Sequence, residues 1–262
     1  MTRLRRVLLT NDDGIAAPGL AVLAEIADQI ADEVWIVAPG TDQSGTSHSL
    51  SLHDPLRSMK LGERRFCVDG TPGDCAAIGL AHILADTPPD LVLSGVNRGA
   101  NLGVETVFSG TVGAAMTAML LDAPAIALSQ VFSGPNPVHW DCARTHGAAV
   151  IRELLARGWP KDACLNVNFP DCPAAEAKSL QITTQGQGLI DQVLVDARQD
   201  PRGRAYHWLN FRRDRSRADL PGSEVEAVRA GYVSVTPMRF ERTHAEAFEA
   251  LSGALPRAPA GG

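Results

Sequence analysis

Residues 7–39 read VLLTNDDGIAAPGLAVLAEIADQIADEVWIVAP. Val7 to Thr10 is a short apolar run that closes on polar residues, the pattern of a central strand buried on both faces. From Gly19 to Ile30 apolar residues recur at helical spacing behind Pro18, whose fixed φ suits a first helical turn. Val34 to Pro39 is a second buried strand. Strand, helix and strand in so short a span predict a βαβ unit, and with it a parallel sheet with right-handed crossovers.

The alternation continues outward. A polar loop, Gly40 to Ser49, leads into an extended excursion around Leu50 to Leu56 and Arg65 to Val68. Asp74 to Ala85 reads as a helix, Leu91 to Val96 as a buried strand, Thr111 to Leu121 as a helix and Ala125 to Ser129 as a strand. Cys142 to Arg157 is helical and Cys164 to Pro170 is again a strand. The expectation is an α/β fold, a doubly wound, Rossmann-like and mostly parallel sheet. Beyond Pro173 the pattern breaks. Leu180 to Thr184 reads as one more strand, whereas Gly186 to Asp219 is polar, Arg-rich and glycine-punctuated, the composition of a β-hairpin or arm. Glu224 to Gly231 resembles a short helix, Tyr232 to Pro237 alternates like a strand, and APAGG at the end is a tail. The division expected is an α/β catalytic unit over 1–184, with 185–262 an arm belonging to the same domain.

The chain has 262 residues, 45% hydrophobic and 21% charged, which is ordinary for a folded domain and excludes dominant disorder. Its formal net charge of -6 gives no global pull toward nucleic-acid duplexes or anionic membranes, so any phosphate is held by a local site. The five cysteines form no CxxC pair and are odd in number, which fits a reducing, cytoplasmic setting. No run approaches the roughly 20 apolar residues of a membrane span.

In open parallel sheets ligands bind beyond the carboxyl ends of the strands. The first strand ends in Asn11, Asp12, Asp13 and Gly14. The second ends in a loop carrying Ser44, and the third in SGVNRGANLG with Asn97 and Asn101. Adjacent carboxylates repel unless a cation lies between them or one keeps a proton, and hard divalent cations take oxygen donors of these kinds. The alternative is that Asp12 caps a turn and Asp13 is solvated. Ser109, Gly110 and Thr111 open an apolar helix, either as an anion site made of backbone N–H groups and hydroxyls or as plain N-capping.

Other chemistries fail on spacing. There is no GxxxxGK[ST], and GVNRGANLG is not GxGxxG. Asp12 and Asp13 stand at i and i+1, not at the i and i+2 that an aspartyl-phosphate phosphatase would place on one side of a strand. GTSHS lacks the G-x-S-x-G elbow of a serine hydrolase. His48, four residues after Ser44, is within range as a proton donor or is simply a loop histidine, and the remaining histidines have no zinc spacing.

Taken together the chain resembles the SurE family, the stationary-phase survival proteins. The segments that carry the resemblance are LLTNDDG at Leu8, APGLAVLA at Ala17, VAPGTDQSG at Val37, GTPGDC at Gly70, PDLVLSGVNRGANLG at Pro89 and FSGTVGAAM at Phe108. LNVNFP at Leu165, DPRGRAYHWL at Asp200 and EAVRAGYVSVTPM at Glu226 follow in family order. The resemblance implies a metal-dependent phosphatase of nucleoside 5′- and 3′-monophosphates, acting through a metal-activated water, with short polyphosphate as a further substrate. It implies one divalent ion per subunit (Mg²⁺, Mn²⁺ or Co²⁺) on Asp12, Asp13, Ser44 and Asn97, with Asp12 and Asp13 also catalytic. Asn101, Ser109, Gly110 and Thr111 match the phosphate side. It implies too a homodimer or homotetramer built through the C-terminal arm. Two positions depart from the pattern: Glu224 stands where the family usually has Asp, and QGQGLIDQVLVDA lacks the basic residues often found there.

Overall fold

Val7, Leu8 and Leu9 are fully buried, and they alternate sides: Val7 and Leu9 enter one hydrophobic core and Leu8 the other. Only a strand covered on both faces needs apolar residues at every position. The structure, a computed structural model, describes residues 3–134, 137–214 and 219–254. The expected tail at 258–262 and residues 215–218 of the arm lie outside them.

In chain order the elements are β1 (Leu4–Thr10), α1 (Pro18–Asp28), β2 (Ala31–Pro39), β3 (Ser58–Gly62), β4 (Arg65–Val68) and α2 (Pro72–Ile78). Then come β5 (Leu91–Arg98), α3 (Gly110–Leu120), β6 (Ala125–Gln130), α4 (Trp140–Arg157), β7 (Cys164–Phe169) and β8 (Lys178–Ile182). The chain continues with β9 (Ile190–Gln199), β10 (Ala205–Arg213), α5 (Glu224–Arg229), β11 (Tyr232–Met238) and α6 (Ala245–Ala254).

Nine strands form one sheet in the order β3-β4-β2-β1-β5-β6-β7-β11-β8. The pairs from β4 through β7 are parallel, and β3 and β11 run antiparallel to β4 and β7. Helices α1 and α4 cover one face and α2 and α3 the other. From β1 the chain steps to β2 on one side and later returns to β5 on the other, so strand order reverses between β1 and β5. This is the doubly wound α/β arrangement expected, and the reversal marks where a ligand crevice opens.

Close approach sets several residues. α1 begins with Pro18 and lies flush on β5, where a Cβ on Gly19 would come within 1.9 Å of the Val96 carbonyl oxygen. α2 opens with a capping box: the Thr71 hydroxyl accepts from the Asp74 N–H at 3.1 Å, and the Asp74 carboxylate accepts from the Thr71 N–H at 2.9 Å. Asp74 also accepts from the backbone and hydroxyl of Ser51, which ties the excursion to the helix.

Three elements differ from the sequence expectation: in the excursion Leu50 to Leu56 forms no strand, and β3 lies beyond it at Ser58–Gly62. The helix expected to Ala85 stays α-helical only to Ile78 and widens into a π turn over Gly79–Ile83. Gly79 there presses on β1, where a Cβ would lie 2.7 Å from a Leu8 methyl. α6 has no counterpart in the sequence pattern. Its Phe248 and Leu251 are exposed, so no buried stripe marks it.

β9 and β10 form a two-stranded antiparallel arm outside the main sheet. At its tip the Asp200 carboxylate accepts the N–H groups of Arg202 and Arg204. Its base is held to the body by an Arg213–Glu105 ion pair of 3.0 Å and by the Phe108 and Phe211 rings, 5.2 Å apart. No helix among the described residues is long and apolar enough to cross a membrane.

Candidate active site

The carboxyl ends of β2, β1 and β5 are neighbours, so the three loops singled out from sequence converge. At the end of β1 the Asn11 side-chain amide donates to the Gly14 carbonyl at 2.9 Å and shapes the turn. Gly14 has φ +99°, a conformation costly for residues with a Cβ. The turn is then joined to each neighbour. The Gln43 N–H donates to the Asp12 carbonyl at 2.7 Å, fixing the loop that carries Ser44. The Arg98 N–H donates to the Asp13 carboxylate at 3.1 Å, fixing the end of β5 beside Asn97.

The third link runs to α3. The Thr111 hydroxyl donates to Asp12 Oδ1 at 2.6 Å and the Thr111 N–H to Oδ2 at 3.2 Å. Gly110 allows this contact, because a Cβ there would lie 2.9 Å from that of Asp12. Ser109 caps the helix, its hydroxyl oxygen accepting from the Val112 N–H at 3.1 Å, and its own O–H hydrogen remains available. The two acids therefore diverge, Asp12 toward the helix start and Asp13 toward β5.

Electrostatics separates them further. Burial pushes the Asp12 carboxyl up to about 6, offset in part by the Thr111 hydroxyl and reinforced by the charge of Asp13. Burial also raises Asp13, against the Arg98 N–H and with help from the charge of Asp42. Neither acid forms an ion pair with a basic side chain among the described residues.

The remaining donors are oxygen atoms left without partners. Ser44 is exposed; its N–H donates to Asp42 at 2.8 Å, and its hydroxyl makes no hydrogen bond among the described residues. Asn97 is half-buried, and its amide donates to the Gly99 carbonyl at 3.1 Å while its Oδ1 stays unpaired. The register between β5 and β6 shifts between Ser94 and Asn97, the kind of irregularity that re-aims a side chain at a sheet end. Among the described residues no three His, Cys, Asp or Glu side chains are grouped to hold a metal. A buried carboxylate, Asp12, beside a half-buried one, Asp13, which feels the charge of Arg98 without forming an ion pair with it, together with a free hydroxyl and a free amide oxygen on the adjoining loops, suits a hard divalent cation instead.

Comparison with known proteins bears on the same loops. The family model described as "Survival protein SurE" matches residues 7–192. The chain belongs to the SurE family. It is 59% identical over 250 residues to "5'-nucleotidase SurE 1" of Burkholderia lata, covering 95% of this chain and 96% of that one. It is 48% identical over 250 residues to "5'-nucleotidase SurE" of Paramagnetospirillum magneticum, covering 95% of each. The crystal structure of the SurE protein from Aquifex aeolicus superposes with a TM-score of 0.80 at 34% identity, covering 95% of this chain and 98% of that chain.

Within this SurE family member some sequence readings take a different place. Thr111, read with the helix start, spends both its hydroxyl and its N–H on Asp12, so the groups still free at that start are the Gly110 N–H and the Ser109 O–H. His48 makes no hydrogen bond to the acids. Its Nε2 lies 2.7 Å from the Met116 sulfur, its Nδ1 lies 3.1 Å from the Ser47 hydroxyl, and its ring rests near Phe240. Burial, with the charge of Arg242, lowers its pKa below the usual histidine value.

Glu224, the departure from the family pattern, is 1% exposed, and its carboxylate accepts the N–H groups of Gly103 and Gly186. It joins the loop beyond Asn101 to the root of the arm. Nothing in its sequence neighbourhood signals this, since both partners arrive from distant segments.

Proposed function

We propose that the protein is a metal-dependent phosphomonoesterase that hydrolyses nucleoside 5′- and 3′-monophosphates. The observation that carries the reading is the adjacent acids Asp12, buried, and Asp13, half-buried, neither in an ion pair among the described residues, at the point where strand order reverses and with Asp12 joined directly to a helix start. The names of the relatives at 48% and 59% identity support the substrate class.

Asp12, Asp13, the Ser44 hydroxyl and the Asn97 carbonyl oxygen would hold one cation per subunit, Mg²⁺, Mn²⁺ or Co²⁺. Bound there, the ion supplies Lewis-acid polarisation of the phosphate and a nucleophile from water at neutral pH. On the protein's side, the Gly110 N–H, the Ser109 hydroxyl and Asn101 hold phosphate oxygens and take up charge as the bond to the leaving group breaks. Thr111 fixes Asp12 at the boundary between the two groups, and Asp13 orients the attacking water.

A screen of phosphate release from AMP, 3′-AMP, ribose 5-phosphate and short polyphosphate, each with Mg²⁺, Mn²⁺ or Co²⁺, tests the reading. The nucleotides should be turned over fastest. No release from any nucleotide with any of the ions sinks it.

The arm supports self-association. Val193, Val195, Trp208 and Leu209 are more than half exposed on a two-stranded ribbon that cannot bury them alone. We read it as the contact of a homodimer or homotetramer. Leu209→Glu combined with Trp208→Glu should reduce the molar mass seen by light scattering. An unchanged mass would remove the arm from the interface. All five cysteines are free thiols, in keeping with a reducing cytoplasm.

A further inference from the structure

β7 is buried along its whole length, yet two of its six residues are asparagines, Asn166 and Asn168, at 2% and 0% exposure. Being two apart, they share one face of the strand, while Leu165, Val167 and Phe169 fill the core on the other. A buried carboxamide costs stability unless its groups are bonded, so their partners are informative.

Among the described residues, all the hydrogen bonds that these two side chains make run to the backbone of one residue. Asn168 Oδ1 accepts the Asn101 N–H at 2.9 Å, and Asn168 Nδ2 donates to the Asn101 carbonyl at 3.1 Å. Asn166 Nδ2 donates to the same carbonyl at 2.8 Å. Asn166 Oδ1 is buried with no hydrogen-bond partner among the described residues, a cost that an apolar residue on β7 would not carry. Stability alone therefore does not favour asparagine at 166. The Asn101 side chain is held separately, its Nδ2 donating to the Ser129 hydroxyl at 2.8 Å. Ser129 stands beside Asn168 in the β6–β7 register. With one amide hydrogen so placed, the second hydrogen and Oδ1 of Asn101 remain free for a ligand.

We infer that Asn166, Asn168 and Ser129 are positioning residues, which lock the backbone and carboxamide of Asn101 so that its free N–H meets a phosphate oxygen. The inference rests on the reading of Asn101 as a phosphate contact. It assigns to the sheet interior a second fixed point of the loop from Asn97 to the Ser109 helix start, which the Gly99 N–H already ties to the Gln130 carbonyl of β6 at 3.0 Å and Glu224 holds at Gly103. None of the three touches substrate; they act through Asn101.

The test is calorimetric binding of inorganic phosphate to the full, Mg²⁺-loaded chain, with Mg²⁺ binding measured in parallel. Asn168→Ala and Asn166→Ala should each raise the Kd for phosphate about 10-fold, with Mg²⁺ affinity within about twofold of wild type. Asn101→Ala should do the same, and adding Asn168→Ala to it should cost nothing more, because residues acting through one group are not additive. Ser129→Ala removes a single oxygen and leaves the strand pairing intact, so it carries the test if an asparagine variant does not fold.

Additive losses in the double variant would overturn the positioning role, as would a parallel fall in Mg²⁺ and phosphate affinity. If Asn101→Ala weakens phosphate but Asn168→Ala and Ser129→Ala do not, the clamp is refuted while the contact stands. If Asn101→Ala leaves phosphate binding unchanged, the underlying contact fails and the inference falls with it.

Discussion

Exhaustive chelation is expected to lower phosphate release from AMP by about three orders of magnitude, and added divalent cation should restore it. The size follows from the several kcal/mol of charge stabilisation that a bound ion contributes at a phosphoryl centre, at 1.36 kcal/mol for each tenfold in rate. The structure gives the protein nothing to replace it. No histidine bonds to the acid pair, neither acid has a basic side chain in ion-pairing range among the described residues, and His48 is turned to Met116. Residual cleavage should come only from the helix start and Asn101. The same treatment should leave the fold intact, since the acids are held by Thr111, Arg98 and Gln43 and not by an ion alone. Full turnover of AMP in excess chelator would exclude a cation from the reaction, and loss of the folded state would make the ion structural.

The second large effect is Asp12→Asn, with opposite signs for activity and for metal-free stability. Activity should fall by at least about 1,000-fold and not recover with added cation, since one of two carboxylate ligands is gone. Stability should move the other way. Asp12 titrates near 3.8 when unfolded and at about 6 in the fold, so between those values the native state binds more protons than the unfolded chain. The contribution of Asp12 to native stability is therefore most favourable below 3.8, falls as pH rises through this window, and stays lowered above 6 by about 1–3 kcal/mol. Asparagine removes that cost and can keep both contacts, accepting the Thr111 N–H and donating to its hydroxyl.

In chelator at pH 8 the variant should melt a few degrees above the wild type, at roughly 2–4 °C per kcal/mol. The gap should close near pH 4. Cation should then raise the melting temperature of the wild type far more than that of the variant. Equal melting at pH 8 without cation would mean that the acid pair carries no unfavourable charge.

Much of this was legible from one strand and its ending. Val7 to Leu9 could only be a doubly covered strand, and a strand, helix and strand within residues 7–39 could only build a parallel sheet. Loops at the carboxyl ends of such strands converge, so Asp12, Asp13, Ser44 and Asn97 could be grouped without coordinates. Ser109 was legible in the same way, as the polar residue opening an apolar helix. α6 was not, because it buries no stripe that a hydropathy pattern could register.

Local chemistry thus determined the elements, the direction of the sheet and the end at which the site lies, because periodicity and capping depend on residues a few positions apart. Only the tertiary structure decided how each side chain is used. That Thr111 serves Asp12, that Glu224 joins Gly103 to Gly186, and that Asn166 and Asn168 hold Asn101 are bonds between residues 38 to 121 positions apart. A hydrogen-bonding group carries no mark of its partner in the sequence. Its partner is set by which segments the sheet order brings together, and by the cost of leaving a buried polar atom unpaired.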